Sequence, residues 1–198
     1  METLIALAGL ITVGAITPGP NNFIVLRTAA RSGLAGTLPA VAGIVLGGLG
    51  LLVIAAAGGA ALFDTLPGLR PALALGGCLY LVWLGFRLIA DSFAPKENPA
   101  ACARLPAGVA GLAGFQFLNP KSWVLVLTAV AAMPLGTASA FLQLATLFVL
   151  IPAVCLLLWS ACGALLMRAL ANARISAWFD RAMGGMLAAS AAALFAAA

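Results

Sequence analysis

Residues 17–22 read Thr-Pro-Gly-Pro-Asn-Asn and interrupt an apolar stretch that runs from about Thr3 to Leu26. Each proline lacks a backbone N–H and clashes with the carbonyl one turn earlier, and the glycine adds conformational freedom. Inside a bilayer the backbone groups freed in this way find no water, so they must face protein or a water-filled cavity. The stretch therefore predicts a discontinuous membrane helix.

The rest of the chain is equally apolar, and this composition excludes several classes of protein. Of its 198 residues, 64% are hydrophobic and 8% are charged, whereas soluble domains have roughly 45–50% and 25%. So few charges cannot cover a water-exposed surface, so most of the outer surface is expected to face lipid. The net charge of +5 is dispersed along the chain, which argues against a nucleic-acid footprint.

Charged and turn residues divide the chain into six apolar segments, and a helix needs about 20 such residues to cross the hydrocarbon core. The sixth segment is short and rich in alanine, so a count of five spans stays open. We predict an all-α membrane protein with about six transmembrane helices. The segments cover approximately residues 3–26, 38–62, 71–89, 105–133, 140–167 and 182–198.

A second break occurs in the fourth segment, at Asn119-Pro120-Lys121-Ser122. Pro18 and Pro120 lie 102 positions apart, and each falls in the first segment of a three-segment half. An odd number of spans per half inverts the second half, as in transporters whose paired interrupted helices meet at the midplane. We therefore predict two inverted three-helix repeats, residues 1–98 and 99–198, with broken first and fourth helices.

The basic residues predict the orientation of the six-span chain. Eight of them fall in loops on one side, and cytoplasmic loops carry an excess of Lys and Arg. Both termini are then expected to face outward. A signal peptide would have basic residues at its start, whereas this chain has Glu2, so we expect the first segment to be retained as a membrane span. The eight residues are Arg27, Arg31, Arg87, Lys96, Arg104, Arg168, Arg174 and Arg181.

The ends of the half-helices are candidate binding groups for an anion. We expect Asn21 and Asn22 to be N-caps of the resumed first helix, and Asn119 to be an N-cap with Pro120 at the first helical position. Helix N-termini attract carboxylates. Lys121 adds a full positive charge, which costs at least about 2.5–3.5 kcal/mol at the midplane and so predicts a functional position.

The opposite ends of the half-helices are candidate binding groups for a cation. Carbonyls near Ile16 and Leu118 are expected to accept hydrogen bonds from an ammonium group, so the site suits a small zwitterionic substrate. Gln116, one turn before the second break, is a further candidate. Gly43 and Gly47 are expected to allow close helix packing. The predicted binding residues are Pro18, Gly19, Pro20, Asn21, Asn22, Gln116, Asn119, Pro120 and Lys121.

Three motifs in this chain are similar to those of a known family. They resemble motifs of the LysE/RhtB family of bacterial amino-acid exporters. The first-span motif corresponds to Pro18-Gly19-Pro20, the third-span motif to GGCLYLVWLGFR at 76–87, and the Asn-Pro-Lys motif to GFQFLNPK at 114–121. Many members carry an acidic residue after the second-span glycine, whereas here Gly48 follows Gly47.

The resemblance implies a secondary transporter, not an enzyme, that exports amino acids or similar zwitterions from the cytoplasm. It implies a multi-pass protein of the bacterial inner membrane with no cofactor, no metal and no nucleic-acid partner. A coupling proton or another ion stays open, and so does a homodimer.

Two alternatives from other classes remain. A membrane thiol–disulfide carrier needs two cysteines within bonding reach, but the first and fourth segments contain none. The four cysteines are isolated from one another in the sequence, at Cys78, Cys102, Cys155 and Cys162. The chain contains no histidine, which excludes a Ser-His-Asp triad and a His-ligated metal. An accessory membrane subunit without transport would have breaks that are only kinks.

Overall fold

The computed structural model describes residues 2–59, 65–66, 68–93, 107–133 and 136–196. In these ranges the regular structure is helical, which confirms the predicted all-α class. The helices are α1 (Glu2–Ile16), α2 (Pro20–Ser32), α3 (Leu38–Ile54), α4 (Leu69–Asp91), α5 (Gly108–Leu118), α6 (Pro120–Ala132), α7 (Ala138–Leu165), the short α8 (Met167–Leu170) and α9 (Ala173–Ala196).

The outer surface of the helical bundle is apolar, as expected for a protein in lipid. Large side chains such as Ile5 and Leu165 are 68% and 84% exposed. Among the described helices, the stretches Ala35–Gly58 and Ala138–Leu165 are long and apolar enough to cross a membrane, and α1 with α2 qualifies as one bent span. The full count of six spans stays a prediction.

Both predicted helix breaks are present. Helix α1 ends at Ile16 and α2 begins at Pro20, with a bend of 55° between them. Helix α5 ends at Leu118, and α6 begins at Pro120 after the single residue Asn119. Proline is the first helical residue in both restarts, where its missing N–H has no intrahelical partner to lose.

The start of the last long helix differs from the prediction. Helix α9 begins at Ala173, nine positions before the apolar segment that we placed at Ala182. Arg174 and Arg181 were placed in a loop, but both lie inside α9, together with Asp180. The helix tolerates the acidic residue because its buried carboxylate pairs with Arg27 of α2.

Glycines set the closest helix contacts, as predicted for Gly43 and Gly47. An ideal Cβ at either position would lie 2.5 Å from a backbone carbonyl of α5, that of Val109 or Ala113 respectively. Helices α4 and α9 also meet at glycines, since a Cβ on Gly85 or on Gly184 would lie 2.6 Å from the other residue's carbonyl oxygen.

Some of the predicted features lie outside the described residues. The boundary between the repeats at 98/99 falls in the undescribed range 94–106, together with Lys96, Cys102 and Arg104. The predicted second span reached residue 62, whereas the described helix α3 ends at Ile54 and a single π-helical turn follows at Ala55–Gly59.

Candidate functional site

A cavity lies where the two broken helices meet. The cavity has a volume of about 80 Å³, and the space around it opens to the outside. Helices α3 and α7 complete its wall. Seven of the nine predicted binding residues line it, namely Gly19, Pro20, Asn21, Asn22, Gln116, Asn119 and Lys121.

The two remaining predicted residues occupy the breaks themselves. Pro18 is half-buried between α1 and α2, and Pro120 is buried at the start of α6. A Cβ on Gly77 of α4 would lie 2.7 Å from the Pro120 ring. Pro120 therefore packs against α4, and both prolines shape the backbone beside the cavity.

An amide pair joins the two broken helices. Asn21 Nδ2 donates to Gln116 Oε1 at 2.9 Å, and Gln116 Nε2 donates back to Asn21 Oδ1 at 3.0 Å. Ser122 Oγ also donates to Gln116 Oε1, at 2.9 Å. Gln116 is only 1% exposed, so this network makes a buried polar link between α2, α5 and α6.

Asn21 and Asn22 do not cap α2, contrary to the prediction. The N-cap is Gly19, which has no side chain to accept a hydrogen bond, because Pro20 begins the helix. Asn22 instead folds back to the end of α1, where its Nδ2 donates to the carbonyls of Ala15 at 3.0 Å and Thr17 at 2.9 Å.

The predicted cap of α6 is confirmed. Asn119 Oδ1 accepts the backbone N–H of Lys121 at 3.2 Å. Asn119 is extended at φ −90° and ψ 105°, which is the backbone conformation typical of an N-cap. The cap fixes the start of α6 and with it the direction of the lysine side chain.

Lys121 crosses the cavity to the other broken helix. Its Nζ donates to Thr17 O at 2.8 Å, and an ideal Cβ on Gly19 would lie 3.3 Å from Nζ. The C-terminal end of a helix carries a partial negative charge, so the end of α1 stabilises the ammonium group. An ammonium has three N–H donors, and the others remain available to a ligand.

Two backbone carbonyls near the predicted ammonium site already accept hydrogen bonds from indole N–H groups. Trp159 Nε1 donates to Ile16 O at 3.2 Å, and Trp123 Nε1 donates to Phe117 O at 2.9 Å. The carbonyl of Leu118 packs against α4, since a Cβ on Gly77 would lie 3.0 Å from it. Neither indole was predicted as a donor, although a tryptophan within an apolar helix indicates an N–H group that needs a partner.

The cavity combines one positive pole with an apolar wall. Of the described residues that line it, Lys121 alone is charged. The uncapped start of α2 lies beside it and presents backbone N–H groups of Asn21 and Asn22, which have no partner within the helix. The apolar part of the wall comes from Ile44, Val45, Leu125, Val126, Phe148 and Leu156.

A buried ion pair lies further along α2. Arg27 pairs with Asp180 of α9 and donates from Nη1 to Ser176 Oγ at 3.2 Å. All three residues are buried. Arg27 was predicted only as a loop residue that sets the topology, and its partner was not predicted. An acidic residue beside an apolar segment, here Asp180, was the signal for this partner.

The described cysteines Cys78, Cys155 and Cys162 are free thiols, and Cys102 lies outside the described residues. No observation supports the thiol–disulfide carrier or the accessory subunit.

Comparison with known proteins identifies similar efflux proteins. A family model described as LysE type translocator matches residues 12–197. A cysteine/O-acetylserine efflux protein of Salmonella typhimurium is 30% identical over 160 residues, which are 79% of this chain and 80% of that protein. A leucine efflux protein of Klebsiella pneumoniae is 33% identical over 92 residues, which are 46% of this chain and 43% of that protein. No solved structure matches the chain.

Proposed function

The chain belongs to the LysE type translocator family, and on that premise we propose that it exports amino acids or similar small zwitterions from the cytoplasm. It is then a secondary transporter of the bacterial inner membrane. Its relatives are efflux proteins for leucine and for cysteine or O-acetylserine, which are all amino acids with one ammonium and one carboxylate.

The cavity between the broken helices is the observation that carries this proposal. A substrate carboxylate binds between the Lys121 ammonium and the uncapped N-terminus of α2, because both provide N–H donors and positive charge on one side of the cavity. Gly19 leaves the space through which these two groups approach each other.

The substrate ammonium binds to Asn21 Oδ1, a neutral oxygen of the same cavity. This oxygen accepts one hydrogen bond, from Gln116 Nε2, and a carbonyl oxygen has two lone pairs. Thr17 O and Gln116 Oε1 each accept two hydrogen bonds already, so they hold Lys121 and the amide pair and not the ligand.

Alternating access follows from the inverted repeat that we propose for residues 1–98 and 99–198. In this arrangement α1 and α2 correspond to α5 and α6, α3 corresponds to α7, and α4 corresponds to α9. The reciprocal contact of Gly85 with Gly184 supports a pseudo-two-fold axis between α4 and α9. Rocking of one repeat against the other would expose the cavity to each side in turn, with both termini outward. An ion gradient or the cargo gradient supplies the energy.

Counterflow in proteoliposomes tests the proposal with the purified full chain. Vesicles loaded with unlabelled leucine should accumulate external radiolabelled leucine, and Lys121→Gln should lower the initial rate about 10–100-fold, since hydrogen bonds to charged groups contribute about 1.5–3 kcal/mol. Arg31→Gln, which removes an exposed cation outside the cavity, is the matched control and should keep the rate. If the wild-type chain shows no counterflow of leucine, cysteine or alanine, export is refuted. Equal rates for Lys121→Gln and wild type would remove the lysine from the mechanism.

A further inference from the structure

Two neighbouring glycines of α3 have different surroundings. Gly47 packs against α5, where a Cβ would lie 2.5 Å from Ala113 O and 2.6 Å from Gln116 Cγ. Gly48 lines the cavity, and a Cβ built on it would meet no atom within 4 Å. Gly47 is thus required for packing, whereas Gly48 leaves open space inside the cavity.

The surroundings of this open space are apolar. Ile44 and Val45 precede Gly48 by one helical turn and line the same cavity, and Phe148 and Pro152 face it from α7. A ligand side chain that enters this space loses its water and gains carbon contacts. Burial of an apolar side chain is favourable under these conditions.

Charge sets the second constraint on the ligand. Within the described wall, Lys121 provides the only charged side chain, and it is engaged with the substrate carboxylate in the proposed function. A second ammonium on the cargo would lie near this cation with no carboxylate to pair with. A second carboxylate would lie against carbon atoms, and burial of an ionised group without partners is strongly unfavourable.

We infer that Gly48 is a specificity-determining residue, which provides the space for an uncharged cargo side chain beside the Lys121 carboxylate site. The exporter therefore takes neutral amino acids and rejects lysine and glutamate. This inference rests on the proposed function and adds the substrate class and the residue that sets it.

A cargo panel is the first test. Counterflow of leucine and alanine should exceed that of lysine and glutamate at least 10-fold in the wild-type chain. Transport of lysine or glutamate at the leucine rate would overturn the inference but would leave the proposed export function intact. Absence of transport of every amino acid would instead refute the proposed function.

A size series at residue 48 is the second test. Gly48→Ala and Gly48→Leu should fill the open space in steps, so the ratio of leucine to alanine transport should fall progressively, by about 10-fold or more for the leucine variant. Gly76→Leu is the matched control, because Gly76 lies in α4 outside the cavity and likewise has no atom within 4 Å of a Cβ. A merely structural role for Gly48 would lower both rates equally, and an unchanged ratio would overturn the inference.

A charge change at the same residue is the third test. Gly48→Asp should raise the ratio of lysine to leucine transport at least 10-fold, because the new carboxylate pairs with the second ammonium. Gly48→Asn has nearly the same shape without the charge and should leave that ratio low. Equal ratios in the two variants would show that residue 48 does not face the cargo.

Discussion

At the scale of single residues, Lys121 shows how a cation is held between broken membrane helices. Its ammonium contacts the carbonyl of Thr17, so the negative end of α1 faces the positive charge. Gly19 lies beside this contact with φ −169°, an extended conformation that any residue adopts. Glycine is needed there for space and not for its backbone freedom.

Gly19→Ala should therefore impair transport while the protein still folds. The added Cβ would lie 3.3 Å from Lys121 Nζ, so the ammonium must shift from the start of α2, and we expect a several-fold loss of leucine counterflow. Gly9→Ala is the control, since a Cβ at that exposed position of α1 meets nothing within 4 Å. Equal transport by the two variants, at matched amounts of folded protein, would contradict the proposed geometry.

The amide pair of Asn21 and Gln116 should show coupling in a double-mutant cycle. Either Asn21→Leu or Gln116→Leu removes both hydrogen bonds between the two amides, and a buried polar group that loses its partner costs about 1–3 kcal/mol. The double variant should lose less free energy of unfolding than the two single variants together, because both unpaired groups are gone. Unfolding in detergent measures all four proteins, and strict additivity would show that the pair contributes no coupling.

At the scale of elements, the broken helices are stabilised by donors from their neighbours. Asn22 and Lys121 donate hydrogen bonds to the carbonyl of Thr17 at the end of α1, and Trp159 of α7 donates to the carbonyl of Ile16. Trp123 of α6 donates a hydrogen bond to the carbonyl of Phe117 near the end of α5. Carbonyls at the ends of α1 and α5 are thus paired with side-chain donors, as irregular backbone at membrane depth requires.

The contact of α3 with α5 depends on Gly47 and not on its neighbour Gly48. Gly47→Ala should destabilise the protein by about 1–3 kcal/mol, because overpacking forces the two helices apart. Gly48→Ala should leave the stability equal or higher by up to about 1 kcal/mol, since alanine favours a helix more than glycine does. Denaturation in detergent distinguishes the pair, and equal losses would contradict the packing of α3.

At the scale of the whole molecule, the pair of Arg27 and Asp180 connects the first broken helix to the last long helix. Both side chains are buried, and Phe179 of α9 lies near them, with its ring centroid 6.0 Å from the Arg27 guanidinium carbon. Phe23 of α2 stacks on the same ring at 6.2 Å. Polar and aromatic contacts thus fix α2 and α9 together at one place.

Removal of one partner of this ion pair should be far more harmful than removal of both. Asp180→Leu alone should cost about 3–5 kcal/mol, because it leaves a buried charge without its partner, whereas Arg27→Met with Asp180→Leu should recover much of that loss. The free energies of unfolding in detergent give the comparison. A double variant as unstable as Asp180→Leu would show that the contribution of the pair is not mainly electrostatic.

Features that depend on local chemistry and on composition could be predicted from the amino-acid order. The prolines at 18, 20 and 120 break helices through their own ring and missing N–H, the Asn119 cap acts over two residues, and Gly43 with Gly47 marks close packing along one helix. Composition indicated the lipid-facing surface, and the length of the apolar segments indicated the all-α class.

Features that depend on which distant groups meet required the packing of the helices to be known. Asn22 donates to a carbonyl of α1 instead of capping α2, because α2 begins at Pro20. Two tryptophans donate to carbonyls that we had predicted as acceptors for a ligand. Arg27 and Asp180 lie 153 positions apart, and their ion pair allows α9 to contain a buried acidic residue. Such pairings follow from the packing of whole helices, so no local pattern in the sequence contains them.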